Sequence, residues 1–490
     1  IFVMHFSVLL LIGFIIACIV LFASFFKHWN VPLILIALAI GIIFGSDVTG
    51  IIYFDNAELT KQITDIALMF ILFAGGYETK IKDLKNVLKP ALLLSSIGVL
   101  LTGVICALLF SLIFKWDFLH SLLLSAIISS TDASAIFSIL RGSNIDKQTT
   151  SLIKLESATN DPMAIIFTTF LIQLFQGYNF STFSTILIFL WLFIGGIAIG
   201  ILIGVLSKII IKQIKDLDAG YYHLLIIGII FLSFGIAELC NANGLMAVFF
   251  TGLILGNTKL PYNNRIAAFT DTLSFITNVI IYVLLGLLAF PSKFSEIYLY
   301  GIGLFLILTF VARPVTVFLL TAFTKFSIKK KTFISWSGIR GTVPIVLATY
   351  PLIAGLDPNH QMFNIIFIAV ILSIVVQGSS LNKIANLLKL TTKKKKKVLN
   401  SMELVTVHDT DVDLIEIFID DELYSGECLV ADLNLPPNST ITMINRNNEV
   451  IAPSGQTVIL PGDVLYVLVE KDNIDMAIDE ILSNFEKINY

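Results

Sequence analysis

Apolar runs of about 20 residues recur from Phe6 to Leu388, separated by short polar breaks. About 20 residues is the length a helix needs to cross the hydrocarbon core of a bilayer. The pattern predicts about thirteen helices, near 5–26, 31–46, 62–77, 90–114, 119–140, 150–176, 182–211, 220–239, 243–257, 265–289, 295–323, 331–352 and 360–388. The first run is longer than the core of a cleavable signal and more runs follow at once, so it reads as a retained helix with no secreted mature domain behind it. From Ser401 to Tyr490 the pattern changes. Apolar and polar residues alternate in Leu414–Ile419, Ile441–Asn445 and Val464–Val469, turn signals stand at Leu435-Pro436-Pro437-Asn438 and Pro461-Gly462-Asp463, and Asn473–Leu482 has helical periodicity. The expectation is a polytopic α-helical membrane domain over 1–390, a basic linker over 391–401, and a small α/β domain over 402–490.

Composition fits a chain solvated mostly by lipid, because 56% of the residues are hydrophobic and only 14% charged, against about 25% charged in soluble proteins. Charge is unevenly divided. The tail from Ser401 holds about 18 acids against about 3 bases, which leaves the remainder net positive by about 12. Arg446, Lys471 and Lys487 make no basic face, so nucleic-acid binding by the tail is excluded. The four cysteines, Cys18, Cys106, Cys240 and Cys428, show no C-x-x-C spacing, and neither a disulfide nor zinc is expected. Alternate loops collect the bases: Lys80, Lys82, Lys85 and Lys89; Arg141 and Lys147; Lys208, Lys212 and Lys215; Lys259 and Arg265; Lys325 with Lys329, Lys330 and Lys331. The positive-inside rule then puts the N-terminus outside and the C-terminus in the cytoplasm, with Lys393–Lys397 facing the anionic cytoplasmic leaflet.

Charged side chains at mid-bilayer cost about 2.5–3.5 kcal/mol or more on insertion scales, so the few that occur carry the functional information. They are Asp132, Glu156, Asp161, Arg313 and Arg340. Asp132 lies in Ser129-Ser130-Thr131-Asp132-Ala133-Ser134, a crowd of helix-capping residues midway along a span, which predicts a broken helix. Such a break frees backbone carbonyls and presents a helix end near the midplane, where transporters hold a bare cation. In Glu156-Ser157-Ala158-Thr159-Asn160-Asp161-Pro162, helical geometry puts Ser157 and Asp161 on one stripe and Glu156 and Asn160 on the next. Lys154 reads as a snorkelling side chain outside the site. Arg340 stands between Gly338 and Gly341, close to Pro344, in a second interrupted span. Broken helices at matching positions of two halves predict an inverted-repeat transporter. Glu156 is expected to pair with Arg340 as a buried structural ion pair, and Arg313, before Pro314, is left as a further structural partner with no transport role.

The strings SSTDASAIFS, ESATNDPMAI, NGLMAVFFTGLILGN and GIRGTVPIVLATYP resemble the bacterial NhaP-type monovalent cation/proton antiporters, over roughly residues 5–390. The resemblance implies an ion site of Asn160 and Asp161 with Thr131 and Asp132, joined by Ser157 and by Glu156 with Arg340 as its partner. Ala158 stands where that family commonly has Gly. An Asn-Asp pair implies electroneutral exchange of one monovalent cation for one proton, K+ favoured over Na+, and the antiporter is expected to be a homodimer. The tail strings LNLPPNSTI, EVIAPSG and VILPGDVLYVLV resemble the C-terminal lobe of RCK domains. That likeness implies a regulatory lobe that dimerises and takes a small ligand such as a cyclic dinucleotide, with Ile444, Arg446 and Pro453 as the candidate contacts. No G-x-G-x-x-G precedes it, so no nucleotide-binding lobe is expected, nor any other cofactor. Asp409, Asp411, Asp413 and Asp420 imitate a calcium loop, but Leu414 replaces the required glycine and begins a strand, so no metal is expected beyond the transported cation. A potassium channel gated by the lobe would need a carbonyl filter such as TVGYG, and an enzyme would need a nucleophile–base arrangement or phosphate loop; the sequence contains none.

Overall fold

The structure is a computed structural model. It describes residues 6–26, 33–54, 56–84, 87–132, 136, 145–177, 182–214, 217–258, 260–391, 398–402, 412–419, 428–433, 435–446, 449–470, 473–474, 476–478 and 480–481. The chain divides into two compact units, Ile1–Thr391 and Thr392–Tyr490.

In the first unit, among the described residues, seven helices are long and apolar enough to cross a membrane, and five shorter apolar helices accompany them. The Lys147–Phe175 helix, which carries the site's charges, completes the set. Several spans are not simple rods. The Leu88–Ser95 and Ile97–Phe114 helices meet at a kink, where the Ser96 hydroxyl donates to the Leu92 carbonyl at 2.5 Å. Two spans contain π-helical stretches, Leu308–Ala312 immediately before Arg313-Pro314 and Ser373–Gly378. Such stretches concentrate where a side chain must be re-aimed.

The helices sort into two layers by packing. In one, Leu33–Phe44, Ala57–Glu78, Thr182–Gln213, Ala219–Leu239, Gly244–Gly256 and Asn263–Leu287 pack on each other. Close backbone approach holds this layer together. A Cβ added at Gly76 would strike the Phe249 carbonyl, and one added at Gly252 would strike the Phe73 carbonyl, so the two helices notch each other reciprocally. Gly41 and Gly286 do the same for Leu33–Phe44 against Asn263–Leu287. The other layer gathers Leu88–Phe114, Phe118–Ile127, Lys147–Phe175, Phe294–Leu320, Ile328–Ile353 and Gln361–Leu387. The layers touch where Ala57–Glu78 meets Thr349–Ile353, where Asn263–Leu287 meets Thr342–Leu347, and where Lys147–Phe175 packs on Ala57–Glu78, Thr182–Gln213 and Gly244–Gly256.

Both expected interruptions are present in the second layer. The Phe118–Ile127 helix ends before Ile128, and Ile328–Trp336 is separated from Thr342–Leu347 by Ser337–Gly341. The residues after the first break, 133–135 and 137–144, lie outside the described residues.

The C-terminal unit has a five-stranded antiparallel sheet in the order β1-β2-β7-β4-β5, from β1 (Val398–Met402), β2 (Val412–Phe418), β4 (Thr440–Arg446), β5 (Glu449–Ile451) and β7 (Val464–Glu470); β3 (Cys428–Leu429) pairs with β6 (Val458–Ile459). Alternation sets the register. Ile415 and Ile417 on β2 and Leu465, Val467 and Val469 on β7 are all buried, and their core also takes in Ile441, Ile444, Ala477 and Ile481. Asn438 takes a positive φ of 60° in the turn before β4, where Ser439 N–H donates to the Pro436 carbonyl at 3.2 Å. In the imitation calcium loop, Asp413 is a β2 residue opposite Val469, while Asp409, Asp411 and Asp420 lie outside the described residues.

Candidate functional site

The two interruptions cross and bond to each other. Asp132 N–H donates to the Ile339 carbonyl at 2.8 Å, so the unwound segments satisfy one another's backbone in the membrane interior. Arg340, 2% exposed, sits at the crossing. Its Nη1 donates to the Ser129 carbonyl and, at 2.7 Å, to the Ser130 carbonyl. These carbonyls were freed when the Phe118–Ile127 helix stopped, and the guanidinium meets the negative end of that half-helix. The Arg340 N–H is in turn held by Ser373 Oγ at 2.9 Å, and Gln377, 2.5 Å from Ser373, donates to the Trp336 carbonyl at 3.0 Å.

The expected Glu156–Arg340 pair is corrected by this geometry. Glu156, 1% exposed, is bonded by Arg313, whose Nη2 lies 2.7 Å from Oε1 and 2.8 Å from Oε2. The reason is local. The π stretch Leu308–Ala312, followed by Pro314, delivers Arg313 to Glu156, while the carbonyls of the first break already engage Arg340.

Thr131, Ser157 and Asn160 form a closed polar triangle. The Thr131 and Ser157 hydroxyls are 2.7 Å apart, Asn160 Nδ2 donates to Thr131 Oγ1 at 2.7 Å, and Thr131 N–H points back at Asn160 Oδ1 at 3.4 Å. All three are buried. They fasten the Lys147–Phe175 helix to the first break.

Among the described residues, several buried atoms of this network lack a hydrogen-bond partner, Glu156 Oε1, Arg313 Nε and Arg340 Nε among them, and so does one of Asp161. Its Oδ1 is buried yet accepts no hydrogen bond among the described residues, and the Ser130 hydroxyl stands beside its carboxylate. Native buried polar atoms are nearly always satisfied, so a bare carboxylate oxygen in a membrane interior is a feature that needs a reason. Asp132 joins it from the first break, with Oδ2 3.4 Å from the Tyr282 hydroxyl. The Asp132 carboxylate also lies against Gly341, whose missing side chain makes the space it occupies.

The structure therefore assembles Thr131, Asp132, Ser157, Asn160 and Asp161 at one crossing, with Glu156 in an adjoining ion pair. Sequence reasoning missed Ser373, Gln377 and Tyr282 and gave Arg313 too small a part. The signal at Arg313 was its charge next to a proline; the others stand as isolated polar residues in apolar helices. The tail trio is placed differently. Ile444 is a fully buried core residue facing Leu465 and Ile451. Arg446 is held by the buried Asp463 carboxylate, with Nε to Oδ1 at 2.9 Å and Nη2 to Oδ2 at 2.8 Å, and by the Val458 carbonyl at 2.7 Å. Pro453, in the segment after β5, is half-buried.

A helical unit with two crossing broken helices and an unpartnered carboxylate beside the crossing defines a multi-pass ion-exchanging membrane protein. Residues 13–387 match the family described as sodium/hydrogen exchanger, transmembrane, and residues 426–482 match the TrkA-C domain. The chain belongs to the sodium/hydrogen exchanger family: it is a cation/proton antiporter, not an enzyme, with a C-terminal TrkA-C domain. It is 31% identical over 473 residues to the K(+)/H(+) antiporter NhaP2 of Shewanella sp. (strain ANA-3), covering 95% of this chain and 82% of that one. It is also 31% identical over 446 residues to the K(+)/H(+) antiporter NhaP of Alkalimonas amylolytica, covering 90% and 78%. Among solved structures it resembles the sodium proton antiporter MjNhaP1 of Methanocaldococcus jannaschii at pH 8, with a TM-score of 0.68 and 25% identity over 78% of this chain and 99% of that chain.

Proposed function

We propose that this chain exchanges potassium for protons, one for one, with Asp161 as the group that holds each in turn. The observation that carries this reading is the unpartnered Asp161 oxygen beside Asp132 at the crossing of the two breaks. Charge balance supports the stoichiometry. Among the described residues, three carboxylates, Asp132, Glu156 and Asp161, face two guanidiniums, Arg313 and Arg340, one positive charge short of balance. Either one proton or one monovalent cation supplies it, and carrying both at once would be disfavoured by desolvation. Asn160 cannot add a further titratable charge. Its amide is committed to Thr131. Potassium is preferred over sodium because relatives that align over nine tenths or more of this chain are named for potassium exchange.

The proposal extends to a bacterial inner-membrane homodimer with its N-terminus outside and its TrkA-C domain in the cytoplasm, where the alternate basic loops also lie. The site-bearing layer shifts against the glycine-notched layer to give alternating access. The tail regulates, taking a small ligand such as a cyclic dinucleotide. Deleting residues 402–490 should leave exchange intact and shift its activation; total loss of exchange in a correctly inserted truncation would refute the regulatory role. Calorimetry of the full chain with cyclic dinucleotides tests the ligand.

The central test is dye-reported proton movement in proteoliposomes challenged with potassium, sodium and lithium in turn. Wild type should respond best to potassium without needing a charge-compensating ionophore, and Asp161→Asn should abolish the response while inserting and melting normally. Undiminished exchange by Asp161→Asn would refute the assignment.

A further inference from the structure

We propose that Tyr282, on the glycine-notched layer, is a positioning residue for cation binding, holding the Asp132 carboxylate in place through its hydroxyl. The inference rests on the antiport site described above and adds to it a contact from outside the site-bearing layer. Tyr282 is fully buried in the Asn263–Leu287 helix, with Ile280, Ile281, Val283 and Leu284 around it in sequence. A hydroxyl buried without a partner is costly, so where this one points is informative. It lies 3.4 Å from Asp132 Oδ2 and also engages Thr342 at the start of the half-helix after the second break. One tyrosine thus reaches both interruptions.

Its position is fixed from behind. Gly286, one turn further along, is seated on the backbone of Leu38 and Gly41, so the ring cannot slide along its neighbour. Asp132, in contrast, sits on an unwound segment, where no helix fixes the direction of its side chain. At 3.4 Å the contact is longer than the roughly 2.5–3.0 Å of an ordinary O–H···O hydrogen bond. The hydroxyl therefore orients the carboxylate without locking it, as a site that must load and unload requires. Asp132 is then aimed at the space beside Asp161, and a cation entering there finds two oxygens already arranged.

The test uses purified full-length protein in proteoliposomes and in detergent. Initial rates of wild type and Tyr282→Phe are measured against potassium and sodium concentration, and the cation concentration for half-maximal thermal stabilisation is measured on the same preparations. Loss of one long hydrogen bond to a charged acceptor should raise KM roughly 3–10-fold, with maximal rate kept within about twofold and the half-stabilising concentration rising in parallel. An unchanged KM with unchanged half-stabilisation would overturn the proposal. So would a lower melting temperature and lower maximal rate at constant KM, the pattern of a purely structural tyrosine. If wild type exchanges no monovalent cation, the proposed function fails, and cation-dependent melting of the two proteins still decides the role of Tyr282.

Discussion

Removing either arginine of the site should cost stability, and Arg313, the one in contact with Glu156, should be the more strongly coupled to it. The side chains of Arg313 and Glu156 are 5% and 2% exposed and are joined by Nη2 contacts to both carboxylate oxygens. Breaking a buried pair by truncating one partner leaves an uncompensated charge and costs about 3–5 kcal/mol. Arg313→Met should therefore lower the melting temperature in detergent strongly, and Glu156→Gln should do likewise. The double variant should recover much of the loss, because neutral partners of similar volume tolerate burial. The coupling expected from the cycle is about 1–3 kcal/mol. Arg340→Met should also destabilise, for a different reason: it strands the Ser129 and Ser130 carbonyls at the helix break. Adding Glu156→Gln to it should bring no comparable rescue. The assay is four melting curves for each arginine at fixed pH, detergent and salt. Additive effects for Arg313 together with strong coupling for Arg340 would refute the pairing and restore the partner expected from sequence.

Gly341→Ala adds a methyl group where the Asp132 carboxylate sits; overpacking should cost about 1–3 kcal/mol, and displacement of Asp132 should raise KM for the cation by more than tenfold, read by concentration dependence in vesicles. Outside the membrane segments, Asp146 caps the Lys147–Phe175 helix, accepting from Gln148 and Thr149 N–H at 3.0 and 3.3 Å, and pairs with Lys330 at 3.1 Å. Burial pushes its carboxyl up, but the bonds from Thr149 and Lys330 and the Lys330 charge prevail and hold it below its ordinary range. A lowered carboxyl stabilises the fold above the unfolded-state value of about 3.9 and loses that contribution as pH falls through the folded value. Asp146→Asn should thus melt below wild type by less than about 1 kcal/mol at neutral pH, with the gap closing below about pH 4; a gap independent of pH would show that the charge contributes nothing.

The spans were legible because a bilayer imposes length and apolarity on every crossing segment. The breaks were legible for a related reason: Ser129-Ser130-Thr131 and Gly338 through Gly341 are residue choices that a continuous helix does not favour. Which arginine meets Glu156 was not legible. Stripe arithmetic assumes 3.6 residues per turn, and the π stretch Leu308–Ala312 breaks that assumption one residue before Arg313. Ser373 and Gln377 were hidden in the same way, inside the Ser373–Gly378 stretch of a span that reads as uniformly apolar. In the tail, the alternation of Leu414–Ile419 and Val464–Val469 marked strands β2 and β7. The Arg446–Asp463 pair required the register between β4 and β7, which sequence alone does not give.

Polar and close-packed contacts are divided between the layers in a way that suits a carrier. Gly76, Gly252, Gly41 and Gly286 place backbone on backbone within one layer, and a notch of that kind cannot slide without losing its packing at once. The other layer is joined at its centre by hydrogen bonds and ion pairs: Thr131 to Ser157 and Asn160, Arg340 to the first break, Arg313 to Glu156. These bonds join the first break to the Lys147–Phe175 span and to the second break, and Lys147–Phe175 to Arg313 in turn; those from Arg340 satisfy backbone carbonyls that would otherwise be bare. The broken helices can therefore travel as one body. Motion that separated them would expose the Ser129 and Ser130 carbonyls, whereas motion of the whole layer exposes none of these groups. The layer boundary, where Ala57–Glu78 meets Thr349–Ile353 and Tyr282 meets Asp132, is where movement disturbs the fewest of these interactions. Under the exchange proposed above, Asp161 would keep its neighbours in both positions and change only the solution it faces, so that the two solutions compete for the same oxygen.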